Sequence, residues 1–195
     1  MIDKTYSGSY NIRVWIGGGI MLVDLHDVLK VDGKKMQTTP ELEFDVFDAP
    51  FGKYPITGKK PVSLQIWNKG NQVLLITGST ELVLRIPCDR CLEDVDTEMT
   101  VGFEKEVDMK LNATQRAQAL DEQYYIEGYN LDVDKLVCSE ILVSWPSKVL
   151  CRDDCKGICS TCGTNLNLRT CGCKPTDLDP RMAQIQEIFN KFKEV

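Results

Sequence analysis

The sequence predicts an α+β protein, in which an antiparallel β meander or partly closed barrel packs with a few helices. A cysteine-rich, zinc-bound segment and a terminal helix complete this fold. Two observations lead to this class. Between residues 41 and 109, several segments alternate polar and apolar side chains, as half-buried strands do. Eight of the nine cysteines lie in two groups, one at the end of a predicted strand and one after the strands.

The first predicted strand covers residues 41–47, where Leu42, Phe44 and Val46 would share one face. Two further strands, at residues 62–67 and 72–77, flank a predicted turn. Residues 68–71 of that turn, Asn-Lys-Gly-Asn, include types that tolerate a positive φ.

The later strands follow the same alternation. Gly78-Ser79 is a second candidate turn, and Leu82, Leu84 and Ile86 would then share one face. Residues 95–107 alternate again, which gives about five strands in all.

Two helices are predicted after the strands. Asn112 can cap a short helix through residue 120, and Asp132 or Asp134 can cap another that runs to Trp145 and stops at Pro146. Cys138 lies inside the second helix, apart from the other cysteines, and we expect it to be a small core residue rather than a ligand.

The terminal helix has the clearest signals of all. Asp179 is a good N-cap and Pro180 suits the first helical position. An apolar stripe follows at helical spacing, and we expect it to pack as core. Its members are Met182, Ile185, Ile188, Phe189 and Phe192.

The domain organisation follows from these segments. Residues 1–20 are expected to be an extension upstream of a natural start at Met21, because a glycine triplet at residues 17–19 interrupts any regular element. Residues 21–146 form the α+β body. Residues 147–195 form the cysteine-rich zinc segment with the terminal helix.

Composition restricts the classes of function. The net charge of -6 argues against a general nucleic-acid binder, although basic residues gather in the tail. No apolar run is long enough to span a membrane, and the N-terminus lacks the pattern of a secretory signal. We therefore expect a cytoplasmic protein, in which the thiols stay reduced and serve metal binding or redox chemistry.

The cysteine spacing indicates metal binding. A two-residue gap, as in Cys88-x2-Cys91 and Cys159-x2-Cys162, lets both sulfurs of a tight turn reach one ion. The glycine after Cys162 supplies the positive φ that such a knuckle often needs. The second group also contains Cys151, Cys155, Cys171 and Cys173.

The eight cysteines can fill one or two tetrahedral zinc sites. In one arrangement the Cys159/Cys162 pair joins Cys171/Cys173, while Cys88/Cys91 joins Cys151/Cys155 or stands apart. In the other arrangement the two CxxC knuckles face each other, as in a zinc ribbon.

The cysteine-rich tail has too few apolar residues to fold without help. Between Leu150 and Leu178 its only large aliphatic residues are Ile158, Leu166 and Leu168. So little apolar surface does not offset the chain entropy of ordering the segment. A structural zinc ion contributes roughly 10 kcal/mol or more to folding, which supplies what is missing.

The motifs resemble those of the bacterial YceD-like family, which is linked to accumulation of large-subunit ribosomal RNA. The pattern Pro87-Cys88-Asp89-Arg90-Cys91-Leu92-Glu93 carries the first part of the resemblance. The tail is similar to the family's Gram-positive form, through residues 154–167, Cys171-Gly172-Cys173 and Asp179-Pro180-Arg181. Ser144-Trp145-Pro146 matches as well, so the resemblance covers residues 21–195.

The resemblance implies a non-enzymatic zinc-binding factor in ribosome assembly, with ribosomal RNA or a large-subunit ribosomal protein as partner. Arg90 is a candidate phosphate contact, with a salt bridge to Asp89, Glu93 or Asp94 as the plainer interpretation. The other candidate contacts are the basic residues Lys148, Arg152, Lys156 and Arg169.

Two other classes compete with this one. The CxC and CxxC motifs in one short tail also resemble those of redox-responsive, zinc-releasing chaperones, and nearby Arg152 and Lys156 would favour thiolates. An enzyme is disfavoured. His26 is the sole histidine, and there is no phosphate loop, nucleophile elbow or His-Glu metal-hydrolase pair.

Overall fold

Antiparallel strands dominate the computed structural model, which describes residues 21–111 and 124–173. In chain order the elements are β1 (Leu22–Asp24), α1 (His26–Leu29), β2 (Lys35–Thr38), β3 (Val46–Ala49), β4 (Gly52–Lys59), β5 (Ser63–Gly70), β6 (Val73–Pro87), β7 (Asp94–Asp108), β8 (Ile126–Glu127), β9 (Asn130–Asp132) and α2 (Val133–Val143). None of the described helices is both long and apolar enough to cross a membrane. The predicted extension and the predicted helices at residues 112–120 and 179–192 lie outside the described residues.

The strands form two open sheets. A three-stranded sheet has the order β1-β9-β8, and a six-stranded sheet has the order β2-β5-β6-β4-β3, with β7 paired to β6. The mostly antiparallel sheet with few helices is confirmed, but the sheets do not close into the partly closed barrel. Within this order only β5, β6 and β7 follow one another as in a meander.

The described residues cluster into two compact units. The first contains the residues up to Ile86 together with Val95–Ser147, and it carries both sheets and helix α2. The second contains Pro87–Asp94 and the residues from Lys148 onward, and it carries eight of the nine cysteines. The segment Pro87–Asp94, which connects the end of β6 to the start of β7, therefore groups with the tail.

The predicted strand at residues 41–47 is wrong in its bounds and in part of its face. Strand β3 begins only at Val46, so alternation before that point does not reflect a strand. Leu42 and Phe44 are buried as expected, but Val46 is 45% exposed. Phe47 is buried in its place and pairs with Tyr54 of β4.

The turn between β5 and β6 lies at Asn71 and Gln72, with φ of 56° and 61°. Two such residues form the loop that suits the twist of a hairpin. The prediction of a turn at residues 68–71 is therefore wrong in position. Asn68 belongs to β5 and is fully buried, and its Nδ2 donates hydrogen bonds to Val28 O at 3.0 Å and Val31 O at 3.1 Å.

The candidate turn at Gly78-Ser79 is wrong, because β6 runs through both residues. Glycine is needed at position 78 for packing rather than for a turn. A Cβ there would lie 2.6 Å from Cζ of Phe103. The other predictions for this region are confirmed, since Leu82, Leu84 and Ile86 are all buried and β7 covers the alternating segment.

Helix α2 is confirmed, with Asp132 as its N-cap. The Asp132 carboxylate accepts a hydrogen bond from Lys135 N at 3.0 Å. The helix ends at Val143, two residues earlier than predicted. Cys138 is buried within it, and burial raises the pKa of its thiol. These findings match a core residue.

Candidate metal centre

The two CxxC motifs fold into the same turn. In the first, Leu92 N donates to Cys88 O at 2.9 Å, and in the second, Gly163 N donates to Cys159 O at 2.9 Å. Cys159 N also donates to Thr164 O at 2.8 Å. In both turns the residue after the second cysteine has a positive φ, 63° at Leu92 and 70° at Gly163. Both motifs are therefore knuckles of the kind predicted from the two-residue gap between their cysteines.

The sulfurs of four cysteines meet in the interior tetrad, which consists of Cys88, Cys91, Cys151 and Cys155. All four Sγ atoms lie within 4.8 Å of one another. Cys88 Sγ lies 3.9 Å from Cys155 Sγ, and Cys91 Sγ lies 3.5 Å from Cys151 Sγ. Three of the four residues are buried, and Cys151 is half-buried.

A second group, the exterior tetrad, consists of Cys159, Cys162, Cys171 and Cys173. Its Sγ atoms also lie within 4.8 Å of one another. Cys162 is exposed and the other three are half-buried. The two CxxC knuckles thus belong to different tetrads, as the first of the two predicted arrangements has it, and the zinc-ribbon arrangement is not formed.

Both tetrads can hold a metal ion. Four thiolates around one ion at about 2.3 Å form a tetrahedron whose edges are roughly 3.8 Å. The two sulfur–sulfur distances given above for the interior tetrad, 3.5 Å and 3.9 Å, bracket that edge. An all-sulfur donor set of this size suits a soft or borderline cation in a closed structural site.

Hydrogen bonds join the two chain segments that supply the interior tetrad. Asp89 N donates to Val149 O at 2.9 Å, and Val149 N donates to the Asp89 carboxylate at 2.7 Å. The Arg90 guanidinium donates to Cys155 O at 2.8 Å. The knuckle therefore lies fixed against residues 149–155 by contacts other than the sulfurs.

Gly157 allows the chain to pass close to the first knuckle. Its φ is 77°, and a Cβ at this position would lie 3.0 Å from Arg90 O. The next residue, Ile158, donates its N–H to the same carbonyl at 3.1 Å. Any larger residue at position 157 would combine an unfavourable φ with a close backbone contact.

The environment of the interior tetrad lowers the pKa of some of its thiols and raises the pKa of others. Burial opposes ionisation of Cys88, but hydrogen bonds from the backbone of Arg90, Cys151 and Cys91 outweigh it and lower its pKa to about 6. Burial and the neighbouring sulfurs raise the pKa of Cys151 to about 12. A divalent cation among the sulfurs would remove the cause of the raised pKa of Cys151, because the cation replaces the protons that the four thiols share.

The pKa values of the thiols in the exterior tetrad are also shifted in both directions. A side-chain hydrogen bond with Thr164, whose Oγ1 lies 3.2 Å from Cys162 Sγ, lowers the pKa of Cys162 to about 6, together with the Thr164 backbone N–H. The hydrogen bond with Cys162 raises the pKa of Cys173 to about 12. In each tetrad the surrounding hydrogen-bond donors thus lower the pKa of two thiols, those of Cys88 and Cys155 in the interior tetrad and those of Cys159 and Cys162 in the exterior one.

Asn167 is a site residue that the sequence did not reveal. Its Nδ2 donates to Cys155 Sγ at 3.3 Å, and its Oδ1 accepts from Lys156 N at 2.7 Å. It therefore both orients a sulfur and fixes the backbone next to it. Nothing in the local sequence separates Asn167 from Asn165, so only the fold shows which of the two contacts a sulfur of the interior tetrad.

The aliphatic residues of the second unit do not form a core among the described residues. Ile158 is 37% exposed, Leu168 is 77% exposed and Leu166 is half-buried. Its buried side chains are Val149 and the cysteines Cys88, Cys91 and Cys155. The interior of this part of the molecule is thus made mainly of sulfur atoms.

The basic candidates all lie at the surface. Lys148, Arg152, Lys156 and Arg169 are exposed. Arg152 pairs with Asp154 at 3.4 Å, and the other three have no ion pair within residues 21–111 and 124–173. Arg90 forms no salt bridge with its acidic neighbours in the described part of the chain, and one guanidinium nitrogen is held by Cys155 O.

Comparison with known proteins identifies the family. The family model of the large ribosomal RNA subunit accumulation protein YceD matches residues 76–189, which is more than half of the chain. The chain belongs to the YceD family. The match includes both knuckles and every cysteine of the two tetrads. The YceD family is associated with large-subunit ribosomal RNA and is not known as a family of enzymes.

Relatives of this YceD-family chain occur in mycobacteria. Uncharacterized proteins of Mycobacterium bovis and Mycobacterium tuberculosis are 26% identical over 116 residues, and one of Mycobacterium leprae is 24% identical over the same length. The matched region is 60% of this chain but 56% of the first two proteins and 53% of the third, so the chain spans only about half of their length. No solved structure matches the chain.

Proposed function

We propose that this chain is a non-enzymatic zinc-binding factor that acts in the cytoplasm, where it supports accumulation of large-subunit ribosomal RNA by binding that RNA. The family match supports the pathway. The observation that carries the metal is the sulfur-lined interior of the second unit, where three of the few buried side chains are cysteines of one tetrad.

Zinc is the ion that these residues favour. All eight ligands are sulfur, with no histidine or carboxylate and no open position, which is the donor set of a structural zinc site. Such a site contributes folding free energy directly and needs no redox chemistry of the ion. In this proposal both tetrads are filled, so each chain holds two zinc ions.

The unpaired basic side chains support RNA rather than a protein as the partner. In the first unit most of the described lysines pair with acidic neighbours, as Lys53 does with Asp48 and Lys60 with Glu81. Lys148, Lys156 and Arg169 of the second unit lack such neighbours in the described part of the chain. Unpaired surface cations are the groups that phosphates attract, with Arg as the more geometrically selective one.

Elemental analysis of reduced, purified protein tests the metal. We expect two zinc ions per chain, and one per chain after Cys88→Ser or Cys162→Ser. Absence of stoichiometric zinc in a chain whose second unit is still folded would contradict this part of the proposal.

A binding titration with large-subunit ribosomal RNA tests the partner. The variant combining K148A, K156A and R169A should bind more weakly. The magnitude of the slope of log affinity against log salt should fall by up to about 3, which is roughly one for each lost phosphate contact. The matched control combines K30A, K53A and K60A on the first unit and should leave both quantities unchanged. Equal effects of the two sets would contradict RNA binding through these three basic residues.

Cell fractionation tests the pathway. In cells depleted of the protein, large-subunit ribosomal RNA should fall, and the wild-type chain should restore it while the triple basic variant should not. The protein should travel with immature large subunits in a sucrose gradient. Its presence in the free pool alone, at every stage of assembly, would contradict the proposal.

A further inference from the structure

Solvent reaches the sulfurs of the two tetrads to different extents. Cys88 has no exposed surface, and Cys155 is 3% exposed. Cys162 of the exterior tetrad is exposed, and Cys171 and Cys173 are half-buried. The two tetrads have the same four donor groups, but small molecules in solution reach the sulfurs of the exterior tetrad more easily than those of the interior tetrad.

Local packing protects the interior tetrad. The knuckle of Cys88 is held by the paired hydrogen bonds between Asp89 and Val149 and by the bond from Arg90 to Cys155 O. Asn165 adds a hydrogen bond from Nδ2 to Glu93 Oε1 at 2.9 Å. A reagent must break these contacts before it reaches Cys88 Sγ, because the sulfur itself has no exposed surface.

The exterior tetrad has less cover among the residues that the structure describes. Its ligands come from one continuous segment between Cys159 and Cys173, and within residues 21–111 and 124–173 no hydrogen bond reaches their sulfurs from outside that segment. The glycines beside the ligands, Gly163 and Gly172, have open space where a Cβ would point. A small oxidant thus has direct access to Cys162 Sγ without prior unfolding.

We infer that the exterior tetrad is an oxidation site, at which hydrogen peroxide converts two of the four thiolates to a disulfide and releases the zinc ion, while the interior tetrad keeps its zinc. This inference rests on the proposed function, since it requires both tetrads to be filled. Cys162 is the first sulfur to react, because it is the exposed member of the set.

The chemistry balances with peroxide as the sole oxidant. The Cys162 thiolate attacks one peroxide oxygen, the O–O bond breaks, and a sulfenic acid forms while the other oxygen leaves as hydroxide, which the buffer protonates to water. A second thiolate of the tetrad, within 4.8 Å, attacks the sulfenic sulfur and displaces its hydroxide. Two electrons pass from the two sulfurs to peroxide, two protons are consumed and two waters form. The remaining two thiolates do not hold the ion in a closed site.

Zinc release from the full-length, zinc-loaded chain tests the inference. A chromogenic zinc chelator in the solution reports the released ion after a pulse of hydrogen peroxide. We expect one of the two zinc ions to appear, at a rate at least about tenfold above that of the second. Simultaneous release of both ions, or release of neither, would overturn the inference.

Peptide mapping shows which tetrad reacted. Trypsin cleaves after Arg85, Arg90, Lys148, Arg152, Lys156, Arg169 and Arg181, so the two tetrads fall on different peptides. The disulfide should join Cys162 to another cysteine of the segment 159–173, with residues 88, 91, 151 and 155 recovered as reduced thiols. Cys138, a buried thiol without a metal role, serves as the internal standard for protection. A disulfide that includes Cys88 or Cys155 would contradict the inference.

A variant removes the oxidised site alone. Cys171→Ser with Cys173→Ser should leave one zinc ion per chain and abolish release by peroxide, and circular dichroism should show a folded protein. If this variant does not fold, the peptide map of the wild-type chain still decides the question. A wild-type chain that holds no zinc defeats the proposed function and this inference together, whereas two zinc ions with equal release defeat this inference alone.

Discussion

Leu92 and Gly163 occupy the same position in the two CxxC knuckles, with φ of 63° and 70°. Each donates its backbone N–H to the carbonyl of the first cysteine of its own motif at 2.9 Å. Glycine adopts this backbone region at little cost, but for leucine it costs roughly 1–2 kcal/mol. The first knuckle thus retains strain that the second one lacks.

Leu92→Gly should therefore stabilise the zinc-loaded chain. The side chain is 65% exposed, so little burial is lost with it. The relief of strain is partly offset by the greater entropy of glycine in the unfolded chain, which leaves a gain of up to about 1 kcal/mol. The measurement is the free energy of unfolding in urea, at fixed free zinc concentration. The matched control, Gly163→Ala, should lose about 1 kcal/mol. A destabilising effect of Leu92→Gly would show that the leucine side chain itself holds the knuckle.

Asn167→Ala should weaken zinc binding at the interior tetrad by about tenfold. The variant removes the hydrogen bond from Nδ2 to Cys155 Sγ, and contacts of this kind tune metal affinity by roughly 10- to 100-fold. Competition with a chelator of known affinity measures the change. Thr164→Val provides the counterpart, since it removes the hydroxyl next to Cys162 and should affect the exterior tetrad alone. Equal losses at both sites in either variant would contradict these assignments.

The sequence was most informative where local chemistry decides the structure. Helix α2 follows from its N-cap Asp132, and the eight cysteine candidates could be identified from spacing because a tight turn brings two sulfurs together. Their grouping into tetrads could not be predicted uniquely. It depends on where the segment Pro87–Asp94 meets residues 148–155, and spacing within either segment carries no information on that contact.

The errors have a common physical origin in tertiary packing. Asn68 has a turn-forming residue type, yet it is buried in β5, where its amide donates to the carbonyls of Val28 in α1 and Val31 in the following loop. Gly78 is also typical of turns, but here it makes room for the ring of Phe103. Turn propensity reflects local backbone preference. Tertiary packing overrides it where a neighbouring element needs an amide donor, or where a neighbouring side chain fits only against a residue without a Cβ.

Asn68→Ala should destabilise the first unit by about 2–3 kcal/mol. The amide donates to Val28 O and Val31 O and accepts from Gly70 N at 2.8 Å, so its loss leaves several buried groups unpaired. Chemical denaturation with an optical probe of β structure measures the effect. Gln65→Ala, three residues earlier on the same strand, is the control, because Gln65 is exposed and should change stability by less than about 0.5 kcal/mol. Similar losses in both variants would show that the carbonyls of Val28 and Val31 find other hydrogen-bond partners when Asn68 is replaced.

The buried carboxylate of Asp134 predicts a specific dependence of stability on pH. It accepts hydrogen bonds from Met21 N at 3.3 Å and Glu43 N at 3.2 Å, so it joins two distant segments to α2. Burial nevertheless dominates and raises its pKa above the ordinary value of 3.8. A carboxyl whose pKa is higher in the folded chain holds its proton longer there. Its contribution to the free energy of unfolding is therefore largest below pH 3.8 and falls as the pH rises through the raised value.

Asp134→Asn isolates this contribution, because asparagine does not titrate. The variant should lose about 1–3 kcal/mol at low pH, since one of the two backbone donors loses its acceptor. That deficit relative to wild type should shrink as the pH rises above 3.8, because only the wild-type chain then bears the cost of a buried charge. Urea denaturation of both full-length proteins at each pH measures the difference, in which the effects of pH on the shared metal sites cancel. A deficit that stays constant or grows with pH would mean that the two backbone hydrogen bonds, rather than burial, control the ionisation of Asp134.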